Sequence, residues 1–218
     1  MLSGQEAIDR LCDPEAGVSA HYVVEEDGRI FRLVEEQRRA AHAGVSFWRG
    51  REDLNDSSVG IEIVNPGHEW GYRRFPPRQV ETVRSLCLSI MRRHPVPHWR
   101  VIGHSDVAPD RKQDPGELFP WQALARAGVG FWPEGAVAEP RPTAPDGPAD
   151  LPRLCRALAA IGYRAEERTE MDEDLATTVR AFQRHWRPDR VDGRADPLTC
   201  RRADEVAAGL ARLEDRRR

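Results

Sequence analysis

Between Pro77 and His94 the apolar residues Val80, Val83, Leu86, Cys87, Ile90 and Met91 recur three and four positions apart. That period predicts an amphipathic helix. Upstream the pattern changes. Residues 20–24 form a short β-rich run, Asp27-Gly28 is a hairpin-turn signal, and residues 29–34 supply the partner strand. Val59-Gly60-Ile61-Glu62-Ile63-Val64 is apolar and β-branched and stops at Asn65-Pro66-Gly67. It predicts a strand with one carboxylate in its middle. Residues 100–103 read as a further short strand leading to His104. Strands alternating with helical segments predict an α/β domain with a central mixed β-sheet flanked by helices.

The pattern is wholly helical near the C-terminal end. Leu151, Leu154, Leu158 and Ile161 mark one helix, ended by Gly162. Asp172-Glu173-Asp174 opens a second that carries Leu175, Val179, Phe182 and Trp186, and a third begins near Asp196-Pro197-Leu198-Thr199. Phe182 and Trp186 read as core residues. A stretch rich in Pro, Ala and Gly separates the two regions and reads as a linker. The predicted organisation is a domain over 1–132, a linker over 133–150 and a small all-α three-helix domain over 151–210.

Composition narrows the function classes. The 33 Lys+Arg and 36 Asp+Glu give a net charge of −3, without the basic footprint of a nucleic-acid binder. No apolar run is long enough to span a membrane. Cys12, Cys87, Cys155 and Cys200 lack metal-ribbon or paired spacing, and Cys87 and Cys155 sit on apolar helical faces as small core residues. The first residues carry no signal-peptide pattern. The expected compartment is therefore the bacterial cytoplasm ahead of the periplasm, and the expected state a monomer.

The candidate chemistry lies in Gly103-His104-Ser105-Asp106-Val107-Ala108-Pro109-Asp110-Arg111-Lys112-Gln113-Asp114-Pro115-Gly116. His104 and Asp114 offer an imidazole nitrogen and a carboxylate oxygen, both suitable zinc donors. Lys112 could stabilise an oxyanion. Glu62, costly to bury in an apolar strand unless paired or used, could act as general base on a water. Taken singly each has an ordinary reading: a hydrogen-bonded structural histidine, a cross-sheet ion pair, a solvated lysine, a turn-forming Asp-Pro. Together they describe metal-assisted amide hydrolysis.

Four stretches, VSAHYVVEEDGRI (18–30), HAGVSFWRG (42–50), NDSSVGIEIVNPG (55–67) and GHSDVAPDRKQDPG (103–116), resemble the type 2 N-acetylmuramoyl-L-alanine amidase family, whose fold is shared with peptidoglycan recognition proteins. The resemblance implies Zn²⁺ as cofactor, His104 and Asp114 as metal ligands, and Glu62 and Lys112 as catalytic residues. It makes His21 and His42 histidines that line or support the substrate cleft. The substrate it implies is peptidoglycan or its muropeptide fragments, cut between N-acetylmuramic acid and L-alanine. LCRALAAIGY (154–163) and AFQRHWRPDRVDG (181–193) resemble a three-helix peptidoglycan-binding domain, which would hold the enzyme on its polymer. Removing 150–218 is then expected to weaken wall binding and spare hydrolysis of small fragments.

The chain departs from the family in one respect that matters. The resemblance implies a third ligand, a histidine on a strand well before Val18. Only 17 residues precede Val18 and none is His. The reading placed first is that Met1 is an internal methionine of a longer protein. Behind it stand a truncated chain with two ligands, and last a substitution by His21 or His42. A non-catalytic peptidoglycan-binding protein is the alternative function. A smaller departure is Ala41, where relatives often carry Trp.

Overall fold

The computed structural model describes residues 3–133 and 150–217; the predicted linker, but for its two end residues, lies outside them. Helix α1 (Gly4–Cys12) starts on Ser3, whose hydroxyl accepts the Glu6 N–H at 3.2 Å. Strands β1 (Tyr22–Val24) and β2 (Ile30–Arg32) form the predicted hairpin, Val24 opposite Ile30, across a turn in which Gly28 takes a φ of 89°. A second hairpin, β3 (Phe47–Trp48) and β4 (Arg51–Glu52), follows. Strand β5 (Ile61–Ile63) then pairs with β1 in parallel, setting Glu62 opposite Val23. The sheet order β2-β1-β5 is mixed, as the alternating pattern predicts.

Helix α2 (Pro77–Arg93) covers this sheet with Val83, Leu86, Cys87 and Ile90, packed with Tyr22, Val24, Phe119, Trp121 and Leu124. Its fully buried Gln79 donates to the carbonyls of Val24 and Val64, at 3.1 and 2.8 Å, fastening the helix to the ends of β1 and β5. At its other end Glu36, whose side chain is only 6% exposed, accepts from Tyr22 Oη at 2.6 Å, from His94 Nε2 at 2.7 Å, and from Arg93 through both guanidinium arms. The Arg93 hydrogen bond holds the Glu36 carboxyl at about 2, below its ordinary 4.5. The stabilisation, about 3 kcal/mol, is fully present above that ordinary value and is lost as pH falls toward 2. Urea midpoints measured between pH 5 and pH 2.5 should fall more steeply for the native chain than for Glu36→Gln. Parallel curves would remove Glu36 from the acid transition.

The expected strand over 100–103 does not form. His98–Arg100 is a 3₁₀ turn, residues 101–103 pair with no strand, and His104 opens the one-turn helix α3 (His104–Val107). The physical reason is a split in packing. Val101 packs against the core under the sheet, while Ile102 packs against a different core beneath the C-terminal helices. Alternation here marks a segment wedged between two cores rather than a sheet strand. Helix α4 (Trp121–Arg126) completes the N-terminal part.

Helices α5 (Leu151–Ile161), α6 (Glu173–Trp186) and α7 (Pro197–Asp215) each begin on an aspartate, Asp150, Asp172 or Asp196. Each of these carboxylates accepts a backbone N–H three residues on, at 3.0, 2.8 and 2.8 Å. Leu154, Leu158, Ile161, Val179, Phe182, Trp186 and Val206 fill the space between them. The same core includes Trp48 of β3, Val107 of α3 and Ala108, so removing residues 150–218 would uncover the packing beside His104, and the expectation that such a truncation spares hydrolysis does not hold. Arg49, at the hairpin tip, donates to the Ile161 carbonyl at 3.2 Å and pairs with Glu214 at 2.5 Å. Among the described residues no helix is long and apolar enough to cross a membrane.

Candidate active site

The period of two along β5 places the site's carboxylate. Ile61 and Ile63 turn to the core shared with α2, so Glu62 projects from the opposite face. Burial raises the Glu62 carboxyl above its ordinary value, and the negative charge of Asp114 adds to the rise; the charges of His104 and Lys112 oppose it. These influences place Glu62 in one electrostatic cluster with His104, Lys112 and Asp114, the four residues the sequence singles out.

His104 and Asp114 meet directly. Nδ1 of His104 lies 3.0 Å from Oδ2 of Asp114, and the Ser105 N–H donates to the Asp114 carbonyl at 2.9 Å, fastening the Asp114 turn to α3. The Asp114 side chain is 58% exposed, yet the protein packed around its carboxyl favours the neutral form. The hydrogen bond and charge of His104, and then the charge of Lys112, outweigh this and hold it below the ordinary value. On the far side of the imidazole, Nε2 stands 3.3 Å from the Ala43 carbonyl. With Nε2–H donated there, Nδ1 is the nitrogen that would bind a metal, giving up its hydrogen bond to Asp114. Donor atoms bound at about 2.0 Å in a tetrahedron stand roughly 3.3 Å apart, close to the observed separation.

The pair fits zinc in chemistry but not in number. A catalytic zinc takes three protein donors and keeps one position open. Among the described residues no group of three or more His, Cys, Asp or Glu is placed to hold a metal. His104 and Asp114 are thus two donors of an incomplete set, and neither His21 nor His42 joins them.

The two other histidines divide by burial. His21 is 1% exposed, and both ring nitrogens are engaged: Nδ1 accepts the Gly60 N–H at 2.9 Å and Nε2 lies 3.0 Å from the Arg38 carbonyl. It has no free atom for a ligand and supports the His42 ring, edge-on at a centroid distance of 5.4 Å. His42 is only partly buried, with Nε2 3.4 Å from the Ser58 carbonyl. Burial, then the neighbouring His21, lowers the His42 ring to about 4, so it is neutral at pH 7. A Cβ on Gly60 would come within 2.3 Å of the His42 ring, so only glycine lets that ring lie against β5.

Three positioning residues carry no local signal in the sequence. Asn55, 5% exposed, accepts the backbone N–H groups of His42 and Ala43 on its Oδ1, at 2.9 and 2.8 Å. Arg111 donates to the carbonyls of Ala43, at 3.0 Å, and Val45, at 2.5 Å. Asp106 accepts the N–H of Gly103, immediately before His104, at 2.7 Å. For Asn55 and Arg111 only the partners, distant in sequence, reveal what the side chains do; the Asp106 bond to Gly103 is local.

Comparison with known proteins identifies the family. Residues 1–117 match the family described as N-acetylmuramoyl-L-alanine amidase. The chain is 38% identical to N-acetylmuramoyl-L-alanine amidase AmiD of Escherichia coli over 196 residues, covering 84% of this chain and 71% of that protein. It is 40% identical to 1,6-anhydro-N-acetylmuramyl-L-alanine amidase AmpD of Haemophilus influenzae over 106 residues, 48% of this chain and 55% of the relative. The fold superposes on E. coli AmiD, solved with anhydro-N-acetylmuramic acid-L-Ala-D-gamma-Glu-L-Lys, with a TM-score of 0.82 and 35% identity, over 95% of this chain and 85% of the other. It superposes on AmpDh3 of Pseudomonas aeruginosa with a TM-score of 0.81 and 31% identity, over 96% and 89%.

Proposed function

The chain belongs to the N-acetylmuramoyl-L-alanine amidase family, and on that premise we propose that it hydrolyses the amide between the lactyl group of N-acetylmuramic acid and L-alanine in muropeptides, anhydro-muropeptides included. The observation that carries the reading is the His104–Asp114 pair, at the start of α3 and on the turn beyond it, within electrostatic reach of Glu62 on β5. Water adds to the lactyl carbonyl carbon, the C–N bond breaks, and a carboxylate and an amine are left. Glu62, its carboxyl raised above the ordinary value by burial, takes the water's proton and delivers it to the departing nitrogen of L-alanine. Lys112 faces the same cluster and offsets the charge that develops on the carbonyl oxygen. Neutral His42 lines the cleft, and His21 holds it in place.

Amidases of this family are zinc enzymes. We take Zn²⁺ as the ion that His104 and Asp114 serve; when bound, such an ion polarises a carbonyl and acidifies water. Among the described residues two donors of the usual three are placed together, and the steps above rest on the chain's own groups. The helices α5–α7 fit a role in holding peptidoglycan, as the resemblance to a wall-binding domain implies. The test is incubation of the purified chain with an anhydro-muramyl tetrapeptide in zinc-containing buffer. Separate sugar and peptide products, identified by mass, support the proposal. Substrate bound but intact would replace it with a binding protein of the same fold.

A further inference from the structure

Asp106 is 1% exposed, and a carboxylate that deep is expensive unless its oxygens are fully used. Its three donors come from three places. The Gly103 N–H, at 2.7 Å on Oδ2, is local. The other two come from the C-terminal helices: Tyr163 Oη, just beyond α5, donates to Oδ1 at 2.6 Å, and His185 Nδ1, on α6, donates to Oδ2 at 2.7 Å. These partners lie 57 and 79 positions further along the chain.

The same site is tight on every side. The His185 ring is stacked between Trp186, at 3.6 Å and 1°, and Trp121 of α4, at 4.0 Å and 20°. Trp121 in turn walls Gly103, where a Cβ would come 3.4 Å from the indole and 2.9 Å from Pro115. Tyr163 packs edge-on against Trp48 at 5.0 Å. Residue 103, whose N–H is held, immediately precedes His104, and Pro115 immediately follows Asp114. Displacing the Asp106 carboxylate would therefore move the start of α3 and with it the His104 imidazole.

We propose that Asp106, Tyr163 and His185 form a buried clamp by which helices α5–α7 set the position of His104, so that the helical unit is a working part of the catalytic framework as well as a wall-binding element. This rests on the amidase reading only for its catalytic consequence; the placement of His104 stands on the geometry alone. All three are positioning residues, since none reaches the cleft.

The experiment records imidazole ¹⁵N–¹H correlation spectra of the full chain, whose seven histidines can be assigned by single substitution, together with steady-state kinetics on an anhydro-muropeptide. Tyr163→Phe removes one donor and keeps the ring contacts. His185→Leu removes the other, and His185→Asn can restore an N–H near the Nδ1 position. In Tyr163→Phe and His185→Leu the His104 signals should move while those of His94, held by Glu36, stay. Turnover should fall ten- to a hundredfold, on the order expected for a misplaced catalytic group, with KM changed less than about twofold because no contact to substrate is removed. His185→Asn should recover both readouts. If His185→Leu does not fold, Tyr163→Phe decides. A folded Tyr163→Phe with unmoved His104 signals and native turnover, showing only a lower Tm, would overturn the clamp. Absence of turnover in the native chain would count against the amidase reading, and the His104 signals would still decide the clamp.

Discussion

Glu62→Gln should leave the chain folded and the His104–Asp114 pair in place while turnover of an anhydro-muropeptide falls by about 10²–10⁴, the range for losing a general base. Glutamine keeps the size and polarity of the side chain on β5, so the sheet register with Val23 is unchanged. It loses only the capacity to take a proton. The native enzyme's pH profile supplies a second check. Burial and the charge of Asp114 raise the Glu62 carboxyl, so the base is ionised above that raised value and protonated below it. The native kcat should fall with acid through a value above 4.5, the ordinary glutamate value. Near-native turnover in Glu62→Gln would exclude it as the base and leave Lys112 and the metal donors to explain catalysis.

The second large effect is on stability. Phe182 is fully buried in the core of α5–α7, stacked on Trp186 at 5.4 Å and edge-on to Tyr163 at 6.4 Å. Phe182→Ala should cost about 3–5 kcal/mol, lowering Tm on the order of 10 °C for a chain of this size. The distribution of the loss is more telling than its size. Trp48, Val107 and Ala108 belong to the same core, so amide-exchange protection should fall in β3 and α3 together with the three helices. Loss confined to residues 151–215 would mean that the two parts pack against each other without sharing a core.

Local periodicity was enough to read most of the elements. The hairpin of β1 and β2 followed from Asp27-Gly28 between β-rich runs, α2 from its heptad-like apolar face, and α5–α7 from leucine spacing and aspartate starts. The sequence also marked Glu62, His104, Lys112 and Asp114, because a carboxylate in an apolar strand and a His…Lys-x-Asp-Pro-Gly loop are chemically conspicuous. It misplaced the approach to His104, since Val101 and Ile102 alternate like a strand but feed two different cores. It gave no indication of the Asp106 junction. Tyr163 and His185 look like ordinary helical-domain residues until the fold brings them to a carboxylate far away in sequence. Nor could spacing decide between the roles of His21 and His42; burial and the occupation of both His21 nitrogens separate them.

The most direct measurement of the central claim is hydrolysis of an anhydro-muramyl tetrapeptide in H₂¹⁸O, with both products weighed by mass spectrometry. Hydrolysis of the lactyl–alanine amide predicts one ¹⁸O atom in the lactyl carboxylate of the sugar product and none in a peptide that begins with a free L-alanine amine. Unlabelled, uncleaved substrate, or label appearing within the peptide, would contradict it.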